Sequence, residues 1–499
     1  MKTIKSLTEA EISELPKPPE GWIWVKLDTI GELFCGQSPS IKEVNQERCG
    51  IPYVTGPEQW DGSKIEETKW TEFPKRLVPE GCIFITVKGA GVGKIFPGIS
   101  CAIGRDIYAF LPSSKVDFKY TLHAIKHQIN LVIMKAQGDI PGLSKNHILD
   151  HVIGLCSIKE QRAIVSKIEQ LFSELDNGIS NLKLAQEQLK VYRQAVLKKA
   201  FEGELTKKWR EQQTDLPDAG DLLEQIRKER EEAAKATGKK LKPVKYLTEM
   251  ELEELPKLPK LWRWVKIDSL VENHKNSIKA GPFGSSLKKE YYVPSGFKIY
   301  GQEQVISGDC TFGDYYISEE KYKELESCKV KPFDVLISLV GTIGKVLILP
   351  ENCEAGVINP RLIKLSLNRN YYWPVFFKYY FESMFLKSLY KVRAHGATMD
   401  ILTLGIISEL PFPLCSLLEQ QAIVQEIETR LSVCNKIEQD IETNLEKAEA
   451  LRQSILKKAF EGKLLNEKEL AEVRGTENWE PAEVLLERIK AEKAKNGKK

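Results

Sequence analysis

None of the ten cysteines forms a C-x-x-C pair, which argues against a zinc ribbon and against a disulfide framework. Reduced thiols in a cytoplasmic protein are the simplest expectation. There is no run of about 18 apolar residues, so no membrane-spanning helix is expected. The opening residues, MKTIKSLTEAEISELPKPP, lack the apolar stretch of a secretory signal. Excess charge of one sign is also missing. The net charge is +3, so an anionic partner would have to meet local patches rather than a uniformly basic surface. Gly93-Lys94-Ile95 and Gly344-Lys345-Val346 lack the Ser/Thr that a phosphate-binding loop uses to hold magnesium. No G-x-G-x-x-G closes a strand into a helix, and no Asn/Asp-Pro-Pro-aromatic tetrad is present, so a nucleotide or S-adenosylmethionine pocket is not signalled. Histidines number only six. His123 with His127, and His147 with His151, are spaced four apart but lack the glutamate of an H-E-x-x-H helix, so structural or surface roles fit them better than metal ligation. No nucleophile–base–orienter set is visible. We therefore expect no catalytic residue, no metal site and no cofactor held by this chain.

What is present is a repeat. Glu160-Gln161-Arg162-Ala163-Ile164-Val165 returns as Glu419-Gln420-Gln421-Ala422-Ile423-Val424, and Leu197-Lys198-Lys199-Ala200-Phe201-Glu202-Gly203 returns as Leu456-Lys457-Lys458-Ala459-Phe460-Glu461-Gly462, both pairs 259 residues apart. An earlier block, Leu15-Pro16-Lys17 with Trp22-x-Trp24-Val25-Lys26, returns 240 residues later as Leu255-Pro256-Lys257 with Trp262-x-Trp264-Val265-Lys266. Between the blocks, residues 31–157 and 271–416 barely resemble each other. A period this long describes a duplicated domain pair rather than a solenoid. The length of 499 residues suits about three domains.

The repeated segments carry heptads. Ile168, Leu175, Leu182, Leu189 and Val196 lie seven apart on one seam, and Ile427, Cys434, Ile441, Ala448 and Ile455 form its counterpart. A second row contains Ile164, Leu171, Ala185 and Tyr192, interrupted by Gly178, and in the second copy Ile423, Ile437 and Leu451. Five heptads predict long helices packed on each other, which we take as antiparallel. A helix over 160–203 would be roughly 65 Å long. Gly203 and Gly462 are placed to end the two helices. The charged tails echo as well: Leu222-Leu223-Glu224-Gln225-Ile226-Arg227 resembles Leu485-Leu486-Glu487-Arg488-Ile489-Lys490. Both read as short, exposed amphipathic helices, serving either as solvated linker or as partner-docking elements.

The inserts have a mixed α/β texture. Strand-like runs at 81–87, 95–96, 101–103 and 107–111 surround the loop Gly89-Ala90-Gly91-Val92-Gly93-Lys94. The order recurs at 334–340, 346–349 and 362–365 around Gly341-Thr342-Ile343-Gly344-Lys345, so the two inserts are expected to share a fold. A helical stretch closes each, at about 119–137 and 372–392. The expected class is α+β: two α/β domains separated by two long antiparallel coiled-coil helices in a pseudo-two-fold internal repeat.

At this point the chain resembles the specificity subunit of type I restriction–modification enzymes. The residues that carry the resemblance are Leu15-Pro16 with Trp22, the loop Gly281-Pro282-Phe283-Gly284-Ser285-Ser286-Leu287, the strand–loop units from Gly81 to Lys94 and Asp334 to Lys345, the turn Gly396-Ala397-Thr398, and Pro411-Phe412-Pro413-Leu414 before Glu419-Gln420. The strongest are Arg193-Gln194 to Gly203-Glu204-Leu205 and Gln453-Ser454 to Gly462-Lys463-Leu464. The first insert departs from the pattern at Gly138-Asp139-Ile140-Pro141-Gly142 and at Cys35-Gly36-Gln37-Ser38-Pro39. The resemblance implies target-recognition domains at 1–157 and 246–416, conserved helical regions at 158–205 and 417–464, a charged linker or helix at 206–245 and a charged tail at 465–499. It also implies a non-catalytic subunit that binds double-stranded DNA at a bipartite target and docks two modification (methyltransferase) subunits and the restriction/motor subunits. S-adenosylmethionine, ATP and magnesium would be used by those partners. Candidate DNA contacts, chosen as basic or amide-bearing residues beside the glycine loops, are Lys88, Lys94, Arg105, Lys145 and Asn146, then Lys288, Gln302, Thr342, Lys345, Arg361, Arg393 and Thr398. A coiled-coil scaffold without sequence-specific DNA binding is the alternative. It gives no reason for two similarly ordered, divergent inserts.

Overall fold

The computed structural model describes residues 7–89, 91–135, 142–237, 244–283, 285–394 and 400–496. It divides into two compact units, residues 1–183 with 442–499 and residues 184–441. Four helices carry the duplicated frame: α1 (Ile158–Phe201), α2 (Ala219–Thr237), α3 (Leu417–Phe460) and α4 (Ala482–Asn496).

The heptads of the sequence explain α1 and α3, each 44 residues long. Within the first unit Lys167 pairs with Glu469 and Asp176 with Arg452. Within the second, Arg193 pairs with Glu438 and Arg210 with Glu419. The start of α1 (Ile164, Ile168) shares a core with the end of α3 (Ile455, Ala459), and the end of α1 (Val196, Ala200) shares one with the start of α3 (Ile423, Ile427), so the helices are antiparallel. Ile168, Val196, Ile427, Cys434, Ile441, Ala448 and Ile455 are buried, while Leu175, Leu182 and Leu189 are half-buried. The second row behaves differently. Ile164 and Ile423 are buried, but Tyr192, Ile437 and Leu451 are exposed. The contact is therefore narrower than two full rows. Gly178, Arg430 and Asn444 occupy the second-row positions between them and offer no apolar surface to pair against.

The first unit has a core sheet of β1 (Gly31–Cys35), β2 (Ile83–Thr86), β3 (Ile95–Pro97) and β4 (Ile107–Pro112), in the antiparallel order β1-β4-β2-β3. The second unit repeats it with β5 (Ile278–Ala280), β6 (Val335–Ser338), β7 (Val346–Ile348) and β8 (Leu362–Leu365), in the order β5-β8-β6-β7. β2 and β6 are buried at every position, which suits their apolar, β-branched runs. A second small sheet with one parallel pair follows in each unit, Tyr53-Val54 beside Ala102-Ile103 and Lys298–Tyr300 beside Gly356–Ile358. A two-stranded ribbon joins each insert to its frame, Ile23–Lys26 with Val152–Leu155 and Arg263–Lys266 with Pro411–Leu414. The shared fold expected of the inserts is thus present.

Two expectations are corrected here. The helical stretch over 372–392 is two helices, Pro374–Phe381 and Met384–Ala394. Ser383 interrupts it and its hydroxyl accepts from the Leu386 amide, restarting the chain as a new helix. The charged tails are not exposed amphipathic helices either. In the first unit Leu485 and Ile489 of α4 lie in the core with Leu27 and Ile30, and the Lys493 ammonium donates to the carbonyls of Asp28 and Gly31. In the second unit Leu222 and Ile226 of α2 enter the core with Ile267 and Leu270, and Glu229 accepts from the Tyr371 hydroxyl at 2.6 Å. Each apolar stripe has an insert domain of its own chain to cover it, so burial prevails over solvation. Among the described residues no helix is long and apolar enough to cross a membrane.

Candidate nucleic-acid interface

The repeated sequence blocks turn out to be the joints that hold each insert. Trp22 donates from its indole to Glu160 at 2.8 Å, and Trp262 does the same to Glu419 at 2.9 Å. Trp24 reaches the carbonyl of Pro16, and Trp264 that of Pro256. Gln161 and Gln420, next in sequence, each bind backbone on both sides: Gln161 meets Asp117 and Cys156, and Gln420 meets Trp373, Tyr371 and Cys415. Gly462 and Gly203 end the long helices with φ of +70° and +72°, and a Cβ there would strike Pro19 or Pro259 at 2.6 and 2.3 Å. Fixed joints leave the far end of each core sheet to carry variable loops.

That end carries a matched set of backbone hydrogen bonds in the two units. Gly36 N donates to the carbonyl of Ile107, and Gly281 N to that of Leu362. A Cβ on either glycine would sit 1.9 Å from the Gly104 oxygen or 1.8 Å from the Asn359 oxygen, so only glycine permits the approach. Val87 N binds the carbonyl of Asp106 and Leu339 N that of Arg361. Thr86 N binds the carbonyl of Lys94 and Ser338 N that of Lys345. Leu143 N binds the carbonyl of Val87 and Leu402 N that of Leu339. These bonds align the inserts residue by residue where their sequences do not. They align Gly36 with Gly281, so that the departure at Cys35-Gly36-Gln37-Ser38-Pro39 starts from a shared glycine; the next residue already differs, since the Gln37 amide donates to the Ile103 carbonyl and Pro282 has no N–H to do so. The comparison also sets Lys94 against Lys345, but Asp106 against Arg361 and Lys88 against Val340.

The candidates named from sequence fall largely on this face. Lys88, Lys94 and Arg105 lie on the loops after β2, before β3 and before β4, and all three are exposed. Lys145 and Asn146 follow Leu143, which is bonded to Val87. In the second unit Thr342 and Lys345 lie between β6 and β7, and Arg361 lies before β8. Arg393 ends a helix whose Ala394 carbonyl accepts from Ile401, beside Leu402 and Leu339. Gln302 is committed to structure, since its amide donates to the Val340 carbonyl. Lys288 stands off at the end of its loop, paired with Glu290 at 3.5 Å. Thr398 and the Gly396-Ala397-Thr398 turn lie outside the described residues, as do positions 138–141 of the first-insert counterpart. Lys88, Lys94, Lys145, Lys345, Arg361 and Arg393 make no ion pair with any described residue, and the Arg105–Asp106 pair at 3.8 Å is exposed and screened. Cations that make no ion pair among the described residues are available to an anionic ligand. Sequence reasoning missed Ser38 and Asn359. The Ser38 hydroxyl accepts from the Arg105 amide and Asn359 from the Arg361 amide, so these polar side chains shape the same loops.

The histidine pairs serve packing. His123 stands edge-on to Phe172, His127 stacks on Phe460, and His147 accepts from the Ser144 amide. Burial lowers the His123 pKa to about 4, so that side chain is neutral at physiological pH.

The family described as "Type I restriction modification DNA specificity domain" matches the chain twice, at residues 19–184 and 259–447. Among curated proteins the chain is 22% identical to the Type I restriction enzyme EcoBI specificity subunit of Escherichia coli, over all of this chain and 98% of that one. It is 25% identical to the EcoDI specificity subunit of the same species, over 77% of this chain and 78% of that one. Among solved structures, the HsdS subunit from Thermoanaerobacter tengcongensis superposes with a TM-score of 0.54 at 17% identity, covering 90% of this chain and 99% of that one. A chain from a type I R-M system superposes with a TM-score of 0.62 at 16% identity, over 90% of this chain and all of that one. With two family matches falling on two domains of one strand order, the chain belongs to the type I restriction–modification DNA specificity family.

Proposed function

We propose that this chain is the DNA-reading subunit of a type I restriction–modification complex, with each insert reading one part of a split target from the major groove. The observation that carries this is the pair of loop faces, alike in backbone bonding and unlike in side chains at matched positions such as Asp106 and Arg361. A common frame that presents different donors and acceptors suits two different half-sites. The unpaired lysines and arginines supply phosphate contacts, which position the protein without specifying sequence. The antiparallel pair α1 and α3 sets the separation of the half-sites. The two repeated helix-plus-joint regions each dock a modification subunit, and the restriction/motor subunits join that assembly. S-adenosylmethionine, ATP and magnesium belong to those partners, and the chain works in the cytoplasm. Methylation by this chain alone would refute the division of labour.

Sequencing of methylated bases, with the modification partner present, tests the reading. A bipartite motif is expected. Adding one heptad to both α1 and α3 keeps the seam in register and lengthens the pair by about 10.5 Å, or about three base pairs of rise. The half-site sequences should persist while the preferred gap lengthens. Binding should weaken, because three base pairs turn the duplex by roughly a third of its repeat. An unchanged gap at full activity would detach the helices from spacing.

A further inference from the structure

Two side chains of the loop faces have no part in the bonding described above. Ile41 and Phe283 are 93% and 90% exposed, more than any other large apolar side chain among the described residues. A single exposed apolar residue needs no explanation. Both lie on the segment that leaves the edge strand of the core sheet in their own unit, Ile41 five residues past Gly36 after β1 and Phe283 two residues past Gly281 after β5.

Each is displayed by its local structure. Ser40 and Glu43 form a reciprocal cap around the single turn Ile41–Glu43, which lifts Ile41 off the surface. Phe283 sits at a turn closed by the Ser286 amide on its own carbonyl at 2.8 Å. The sequences of the two loops differ, so the shared feature is the exposed apolar tip and not a shared motif. Cations occur on the same loops or on the loops bonded to them, with Glu43 also in the Ile41 turn. Lys42 follows Ile41, and Arg105 is held to the same loop through its amide bond to Ser38. Arg361 flanks the Asn359 carbonyl against which Gly281 packs. An isolated apolar tip among cations offers too little contiguous surface for an apolar protein partner. It does match duplex DNA, whose phosphates are anionic and whose bases present apolar methyl groups and ring faces.

We propose that Ile41 and Phe283 are specificity-determining contacts, one for each half-site, that touch the apolar parts of bases. The surface touched is either a thymine methyl in the groove or a ring face at an opened base step. This rests on the reading of the loop faces as DNA-binding faces. Both residues point into solvent and support no core, so replacement should leave the fold intact.

The test uses the full chain in complex with its modification partner, and duplexes carrying either the motif found by sequencing or a scrambled version. Ile41→Ser and Phe283→Ser should each weaken binding to the motif by about tenfold, within the range for one base contact. Scrambled DNA should bind as before and the salt dependence should not change, because the phosphate contacts remain. Each variant should relax methylation only at its own half-site, an outcome that a general loss of folding would not give. Phe283→Leu should recover part of the loss. If the target is a methyl group, replacing thymine by uracil in that half-site should reproduce the loss for wild type and add nothing to the serine variant. If it is a ring face, 2-aminopurine at the step should brighten with wild type and stay dark with the variant. Serine variants that bind the motif as wild type does, or that lose motif and scrambled DNA equally, would overturn the proposal while leaving the DNA reading intact. A wild-type complex that does not prefer the motif to scrambled DNA would overturn that reading itself.

Discussion

The joint at Glu160 in the first unit and the joint at Glu419 in the second are made from the same residue types, yet they are finished differently. Glu419 receives Trp262, the Thr206 hydroxyl at 3.0 Å and the Arg210 guanidinium at 2.6 Å, with Arg210 also lying over the Trp262 ring. Glu160 receives Trp22, but Arg474 stands 3.9 Å away and donates instead to the carbonyl of Glu20. One oxygen of Glu160 and the Nε of Arg474 are buried without a hydrogen-bond partner among the described residues. Burial pushes the Glu160 pKa up, with Trp22 and Arg474 only partly opposing it. Duplication preserved where the carboxylate sits; satisfaction of its lone pairs diverged. The second joint is a completed buried ion pair and the first carries an incompletely compensated charge.

The largest test of that likeness removes one half. Residues 1–245 contain one insert, α1 and α2. Two copies could rebuild the antiparallel helix pair with true two-fold symmetry. In such a dimer α2 must take the place of α4, presenting Leu222 and Ile226 where Leu485 and Ile489 now pack, and Arg210 must meet Glu160. The expected products are a dimer in analytical ultracentrifugation and, with the modification partner, methylation of an inverted repeat of one half-site. A strictly monomeric fragment, or methylation at the original asymmetric site, would mean that the two frames are not interchangeable.

A smaller perturbation acts on one unit at a time. Ile489 is fully buried in the first unit and Ile226 nearly so in the second. Ile489→Asp should destabilise the first unit by about 3–5 kcal/mol, the usual cost of an uncompensated buried charge, and Ile226→Asp should do the same to the second. Hydrogen exchange read by peptide would show loss of protection confined to the mutated unit. Protection unchanged in either case would return the tails to the status of solvated linkers.

How far these parts could be read from sequence follows from what kind of constraint each obeys. The helices were legible because a seam from Ile168 to Val196 repeats its spacing, and the buried strands because Ile83–Thr86 and Val335–Ser338 are unbroken apolar runs. The tails were misread because periodicity at Leu485 and Ile489 reports an apolar stripe but not what covers it. The split at Ser383 was missed because apolar periodicity continues across it, while the break comes from one hydroxyl cap. On the loop faces, residue type alone marked Lys94 and Lys345 but could not align Gly36 with Gly281. That match depends on backbone bonds between segments more than 70 residues apart, Gly36 to Ile107 and Gly281 to Leu362. Side-chain reach is set by those bonds, so one sequence could name candidates and not their arrangement.

The finest comparison is between the two carboxylates, and it separates by sign as well as by size. Glu419→Gln keeps the shape and an acceptor for Trp262 but leaves Arg210 facing a neutral amide. The second unit should lose about 1–3 kcal/mol, less than for a fully enclosed pair because Arg210 keeps some access to water. Glu160→Gln removes a charge that the first unit accommodates poorly, so at neutral pH this variant should melt at or above wild type. The pH dependence follows from the raised pKa. The folded protein holds the Glu160 proton to higher pH than the unfolded chain does, so the ionised group destabilises the fold above its folded pKa. That penalty fades as the pH falls through the folded value toward the ordinary glutamate value of 4.5, and the advantage of Glu160→Gln should fade with it. Glu11 and Glu409 run the other way. Hydrogen bonds from Lys26, and from Lys245 and Lys266, lower their pKa values to about 2, so their stabilising contribution is present above about 4.5 and is lost as the pH falls toward 2. Melting curves of wild type, Glu160→Gln and Glu419→Gln between pH 4 and 8, followed by hydrogen exchange in each unit, measure the difference. Equal losses from the two glutamines at pH 7 would mean that the joints are electrostatically the same and that the 3.9 Å gap at Arg474 has no energetic consequence.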